Sequence, residues 1–312
     1  MPLSMRCRLR KFSDYIFMNE DLKDYLKTLV SDVDVALDDF LPMPGETPGA
    51  IHEAMRYAIF AGGKRLRPVL CIAAAEACGG TQASALRAAC AVELMHTYSL
   101  VHDDLPCMDD DDLRRGRPTC HKVYGEGMAV LCGDALLTES FALLAKSEPS
   151  ARYMVGDMIS ELASAGGSRK LIGGQVLDLE GEGQQLNKEQ LLAIHEAKTA
   201  ALLVTSLRLG GMTANASTEQ LSALSDFGYS LGLAFQVIDD ILDVTQTTKS
   251  LGKTAGKDVA ANKSTYPSVW GLEESRIEAE RLTRVALDAL GIFGERGARL
   301  REIAEWMLSR EH

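Results

Sequence analysis

The sequence predicts an all-α helical bundle built as one large domain. Three observations carry that prediction. Apolar residues recur at helical spacing through most of the chain. The 312 residues include only 9 prolines, with aromatics at 6 %, and Ala and Leu recur throughout, which suits long helices better than a sandwich or a barrel. No sustained strand-like alternation stands out. Hydrophobic residues at 46 % and charged residues at 25 % are ordinary globular values and exclude disordered and fibrous classes. The length is about twice that of a common domain, still within reach of a single one.

The elements follow in order. Asn19 to Leu41 reads as a helix stopped by Pro42, Pro44 and Gly45. Pro48 opens a second that runs to Phe60, ahead of Gly62-Gly63, and Pro68 a third that stops at Gly79-Gly80. A fourth begins near Ala83, carries Leu86, Cys90, Leu94 and Tyr98 four apart, and runs into an acidic stretch at Asp103. Further helices are expected over 126–147, 151–165, 188–209, Thr218 to Val244, 273–290 and 297–310. Irregular connections are expected at 113–124, 179–187, 211–217 and 245–264. Residues 1–17 read as a flexible N-terminal extension and 18–312 as the single domain.

Charge and cysteine usage narrow the function. Lys+Arg number 33 against Asp+Glu 44, a net charge of −11, which argues against a nucleic-acid partner. The basic stretch Met1 to Phe17 contains no apolar run of signal length. No uninterrupted apolar run reaches the ~18 residues a span needs, so no membrane span is expected and a cytoplasmic location is. Seven cysteines, three of them inside apolar helical patterns, read as core residues of a reducing compartment. No CxxC pair accompanies Cys107, Cys120 and His121, so zinc is not expected.

Two acidic clusters stand out. Residues 103–112 hold six aspartates: Asp103, Asp104 and Asp109 to Asp112. The second cluster is Asp239-Asp240-Ile241-Leu242-Asp243, set in an apolar run from Phe235. Asp239 and Asp243 lie one turn apart, about 40° round a helix. Asp103 and Asp109 would be about 240° apart on a straight helix, but Pro106 must break it, and the chain can then bring Asp109 back to Asp103. Close carboxylates raise one another's pKa unless a cation sits between them, and all-oxygen ligands favour a hard ion such as Mg²⁺. The ordinary alternative, a solvated acidic loop, suits Asp110 to Asp112. It suits Asp239-Asp240 poorly, since acids in an apolar helix are costly unless paired. Cations answer the acids: Lys64, Arg65 and Arg67 after Gly62-Gly63, Arg114, Arg115 and Arg117 after the first cluster, Lys198 beside Thr199, and Lys253 and Lys263 after the second. No P-loop is present. Carboxylates for metal together with dispersed Arg and Lys suit a diphosphate.

At this point the residues resemble a known family, the trans-isoprenyl diphosphate synthases. The stretch from Glu93 to Leu137, containing DDLPCMDDDDLRRGRPTCH at 103–121, looks like its first aspartate-rich region. GGKRLRP at 62–68, GGQVLDL at 173–179, KTAALL at 198–203, FQVIDDILD at 235–243 and GKD at 256–258 resemble its other blocks in order. The likeness covers about residues 20–310. It implies a prenyl-synthase (isoprenoid synthase) fold around a central cavity, three Mg²⁺ ions and a homodimer. By resemblance, Asp103, Asp109 and Asp239 are Mg²⁺ ligands, supported by Asp104, Asp240 and Asp243. Arg114, Lys198, Lys253 and Lys263 grip the allylic diphosphate. Lys64, Arg67, His96 and Arg115 hold isopentenyl diphosphate. Thr199 and Gln236 stand near the developing allylic cation.

Product length should follow the depth of the hydrocarbon pocket. Tyr98 lies five residues before Asp103 and Ser99 four before, so Tyr98 sits more than one turn below the metal ligand. An aromatic there resembles the bacterial farnesyl-producing branch, so the expected product is (2E,6E)-farnesyl diphosphate, with geranylgeranyl diphosphate as the alternative. A class I terpene cyclase is a more remote reading, since its usual second motif of the NDxxSxxxE kind is absent. So is a non-catalytic partner subunit, since no expected active group is missing.

Overall fold

Apolar periodicity turns into helices close to the expected boundaries. The computed structural model describes residues 20–245 and 264–308. Glu20–Phe40 forms α1, Gly49–Ile59 α2, Leu66–Ala77 α3 and Gln82–Asp103 α4. A small antiparallel hairpin follows, β1 (Leu113–Arg114) and β2 (Arg117–Pro118). Then come α5 (Cys120–Tyr124), α6 (Glu126–Leu144), α7 (Val155–Gly166), α8 (Leu171–Gly181) and α9 (Lys188–His195). A π-helical turn, Glu196–Ala200, joins α9 to α10 (Ala201–Thr213). α11 spans Thr218–Thr245, α12 Tyr266–Trp270 and α13 Leu272–Ala289; a 3₁₀ segment, Leu290–Gly297, leads into α14, Ala298–Leu308.

The departures from expectation have local causes. Periodicity assigned no element to 166–178, where α8 lies. Several apolar residues of α8 (Ile172, Val176, Leu177 and Leu179) are exposed rather than packed in a core, so no clean apolar stripe forms. The connection expected at 113–124 contains the hairpin and α5. Its strands are two residues long, too short to alternate, and are joined through Arg115 and Gly116, both at positive φ (55° and 76°), as a tight hairpin turn requires. The helix expected over 188–209 is interrupted by the π turn. The helix expected from 151 starts at Val155.

The centre is built from helices buried on almost every side. α3 and α4 expose little because small residues such as Ala73, Ala74, Ala88, Ala89 and Ala91 let their neighbours approach all round. α4 packs along α3, α6 and α10, and α11 along α10 and α13. A β-carbon at Gly210 would collide with the Cys71 carbonyl, so α10 and α3 meet backbone to backbone. α4 starts in a capping box: the Thr81 hydroxyl accepts from the Ser84 N–H at 3.2 Å, and the Ser84 hydroxyl from the Thr81 N–H at 3.3 Å.

By length and composition alone α6 and α11 are apolar enough to cross a membrane, as core helices of a bundle also are. Both belong to the bundle: α6 packs along α4, and α11 carries Asp240 and Asp243 into the interior.

Candidate functional site

α4 ends at Asp103, since Pro106 has no N–H and disfavours helix in the residue before it. The chain then curls back. Leu105 N–H donates to the His102 carbonyl at 3.1 Å, Met108 N–H to Leu105 at 2.8 Å, and Asp109 N–H to the Asp103 carbonyl at 2.8 Å. Asp109 therefore returns to Asp103, as the break at Pro106 allows. Burial pushes the Asp103 carboxyl up to about 6; Lys198 and Arg114 pull it back, while Asp109 and Asp104 add to the rise. Asp104 is buried and accepts from Arg114, through Nε at 2.9 Å and through Nη2. Arg114 also lies 3.5 Å from Asp111, so its guanidinium is turned into the first acidic cluster.

The second cluster is organised differently. Asp240 is 5 % exposed and both its oxygens are engaged: Oδ1 accepts from Gln236 Nε2 at 3.1 Å and Oδ2 from the Tyr266 N–H at 2.9 Å. The Thr199 hydroxyl donates to Gln236 Oε1 at 3.2 Å. Thr199, Gln236, Asp240 and the start of α12 thus form one chain of hydrogen bonds. Asp239 is half-buried beside it. Asp243, one turn on, is buried with Oδ2 lacking a hydrogen-bond partner among the described residues.

Lys198 and Thr199 sit on the π turn, the kind of local unwinding that recurs at functional sites. Two glycines clamp it. A β-carbon on Gly174 of α8 would come within 2.6 Å of the Lys198 backbone nitrogen, and one on Gly232 of α11 within 2.8 Å of Ala200 Cα. Lys198 Nζ reaches Asp178 at 2.6 Å.

The basic side is built on the turn before α3. Arg65, in the left-handed conformation (φ 48°), is a buried pin: it bonds Asp34 at 2.8 Å, Glu93 at 2.9 Å and the Ile59 carbonyl at 2.7 Å. Arg67 is different. Its Nε is buried without a hydrogen-bond partner, and burial pushes its pKa down to about 10. His96 is held well below the ordinary histidine range by burial and by Arg67, Arg115 and Arg114 around it. The Arg115 guanidinium donates to the Gly62 carbonyl, and the exposed Lys64 ammonium lies 5.6 Å over the Trp306 ring.

Three adjoining cavities join these parts. One of about 600 Å³ is lined by Lys64, Arg67, His96 and Arg115 with Glu93 and Phe235. It shares Arg67 and His96 with a second of about 520 Å³, whose wall adds Tyr98, Ser99, Asp103, Lys198 and Thr199 and apolar residues of α8. That cavity shares Lys198 and Thr199 with a third of about 180 Å³, which holds Gln236, Asp240 and His195. Asp109, Asp239 and Arg114 lie outside the walls of these three cavities. Lys253 and Lys263 lie outside the described residues, as does the extension expected at 1–17.

The donor set fits a hard cation shared with a ligand. Among the described residues no three His, Cys, Asp or Glu side chains converge tightly enough to hold an ion alone. Magnesium is commonly bound by one or two carboxylates plus substrate phosphate oxygens. The raised Asp103 carboxyl and the unpartnered Asp243 oxygen are what such a shared ion would relieve. The partnerless Arg67 nitrogen and the crowded cations around His96 favour a polyanion in the same way.

Sequence reasoning missed Gln175, which lines the second cavity with a buried, partnerless Nε2, and Asp178, the partner of Lys198. Both lie in GGQVLDL, and a polar residue at every third position of an otherwise apolar segment was the available signal. It also missed His195, whose ring stacks on Tyr266 at 5.3 Å and whose pKa burial pushes down to about 4.

Residues 48–289 match the family model described as Polyprenyl synthetase. The heterodimeric geranylgeranyl pyrophosphate synthase large subunit 1, chloroplastic, of Arabidopsis thaliana is 50 % identical over 94 % of this chain and 80 % of its own. The chloroplastic geranylgeranyl pyrophosphate synthase of Catharanthus roseus is 49 % identical over 94 % and 82 %. Among solved structures, an FPP/GFPP synthase from Zymomonas mobilis superposes with a TM-score of 0.81 at 34 % identity, covering 93 % of this chain and 99 % of the other. Geranylgeranyl pyrophosphate synthetase from Pyrococcus horikoshii gives 0.85 at 30 % identity, covering 94 % and 99 %.

Proposed function

The chain belongs to the polyprenyl synthetase family, and from that premise we propose that it elongates an allylic diphosphate with isopentenyl diphosphate to give geranylgeranyl diphosphate. The observation that carries the reading is the run of adjoining cavities: a basic pocket, an apolar pocket with Asp103 at its rim, and Lys198 and Thr199 where the apolar and acidic pockets meet.

The basic pocket suits the diphosphate of isopentenyl diphosphate. Arg67 and His96 reach it from α3 and α4, with Lys64 and Arg115 at its edge. The allylic diphosphate then lies between the acidic clusters, with Lys198 on the wall shared by the apolar and acidic cavities, Arg114 and Asp104 as a neutralising pair, and Lys253 and Lys263 assigned by resemblance. Asp103 and Asp109 on one side and Asp239 on the other would hold Mg²⁺, three ions by the family's pattern, with Asp240 and Asp243 in support. Magnesium bound there would neutralise diphosphate as it leaves, lowering the barrier to ionisation. The allylic carbon–oxygen bond breaks and its electron pair leaves with diphosphate. The alkene of isopentenyl diphosphate attacks the cation, and the proton then lost passes to the departed diphosphate. Thr199 and Gln236 place oxygens beside the developing positive charge, and the apolar α8 wall excludes water that would quench it.

For chain length, the sequence alone pointed to farnesyl diphosphate through Tyr98. Relatives sharing about half their residues with this chain are named geranylgeranyl synthases, and they support the twenty-carbon product. The fifteen-carbon reading is kept as the second because Tyr98 and Ser99 line the apolar cavity. Supplying Mg²⁺, isopentenyl diphosphate and dimethylallyl diphosphate and chromatographing the products separates the two. A homodimer is part of the proposal by resemblance to the family, with Leu131 exposed on α6. A reducing compartment fits the cysteines, all unpaired among the described residues.

A further inference from the structure

We propose that His102 is a positioning residue for product length: it braces the Tyr98 ring against α6 and so fixes the depth of the apolar cavity. The inference rests on the prenyl-elongating reading of that cavity. The Tyr98 ring is 5 % exposed and lines the cavity, yet its hydroxyl is buried without a hydrogen-bond partner. No polar contact fixes the ring, so packing alone sets where it lies. The ring against it is His102, one turn further along α4, edge to face at 5.9 Å with planes 87° apart.

His102 is itself tied to the facing helix. Its Nε2 lies 3.0 Å from the Val130 carbonyl and 3.9 Å from the Asp134 carboxylate. A carbonyl only accepts, so Nε2 carries the proton and donates. Gly133 makes the approach possible, because a β-carbon there would collide with the imidazole. The Val130 side chain and His102 both line the same cavity as Tyr98. One ring therefore joins the α4 wall, the α6 wall and the aromatic floor, and the floor cannot drop without moving it. A histidine that merely glued α4 to α6 would affect folding and leave chain length alone.

The test compares products of the wild type, His102→Ala, Tyr98→Ala and the double variant, with Mg²⁺, isopentenyl diphosphate and dimethylallyl diphosphate, alongside thermal melts. His102→Ala is expected to raise the ratio of longer to wild-type product about fivefold. Added to Tyr98→Ala, it should change that ratio by less than about twofold, because the ring it braces is gone. His102→Gln, which can still donate to the Val130 carbonyl but lacks the ring edge, should also lengthen products and covers the case in which alanine unfolds the protein. Wild-type ratios in a folded His102→Gln or His102→Ala variant overturn the brace, as does a full effect in the Tyr98→Ala background. Absence of any prenyl product from the wild type overturns the elongating reading itself, and the brace with it.

Discussion

At the scale of single residues, the acids and the cations make opposite demands on the fold. Asp103 is half-buried beside other carboxylates, so its charge contributes little to stability and the site is held by its surroundings. Asp103→Ala and Asp239→Ala should each lower turnover by roughly a hundredfold or more while moving the melting temperature by only a few degrees; near-normal rates at saturating Mg²⁺ would remove them from the metal site. Arg67→Ala should raise KM for isopentenyl diphosphate far more than it lowers kcat or affects the allylic partner. His96 supplies a pH dependence. Below 6.5 the unfolded chain takes up a proton that the folded chain refuses, because burial and the arginines hold the folded-state pKa well down. Stability therefore falls as pH drops through 6.5, and His96→Phe should flatten that part of a melting-temperature profile. These residues were legible because each stands in a short local pattern, such as acids one turn apart or cations after paired glycines. Asp178 was not, since its ion pair with Lys198 spans 20 residues, and its spacing from Gln175 marks a polar position without pointing to that partner.

At the scale of elements, the decisive feature is the π turn carrying Lys198 and Thr199. It can sit between α8 and α11 only because Gly174 and Gly232 lack side chains. Gly174→Ala drives a methyl into the Lys198 backbone and should cost about 1–3 kcal/mol through overpacking, with a larger loss of turnover than of stability, measured by denaturant titration and initial rates. Rate and stability falling in proportion would make the turn a passive splice. Apolar periodicity reports helices that face a packed core, which is why α1 to α4, α11 and α13 were readable. α8 faces a cavity instead, so its apolar residues show no simple stripe. The hairpin at 113–118 is too brief to have a period, and the π turn, five residues long, is too short to interrupt the helical pattern over 188–213. Pro106 shows the opposite case: one residue's chemistry predicted the end of α4 and allowed the return of Asp109.

At the scale of the whole molecule, net charge, helical composition and the order of the motifs together gave the fold class and the reaction family. Chain length escaped, because it depends on how far a cavity wall stands from Asp103, and that distance is set by helices far apart in sequence. The proposed homodimer should elute and scatter light as about twice 33.8 kDa, and Leu131→Asp, placing a charge on the exposed apolar face of α6, should shift it toward the monomer. The most direct test of the account is product analysis of the purified wild-type protein given Mg²⁺, isopentenyl diphosphate and dimethylallyl diphosphate. A linear prenyl diphosphate, chiefly the twenty-carbon chain, formed only with Mg²⁺, is the predicted result. Cyclic hydrocarbon, or substrate left untouched by folded protein, would contradict it.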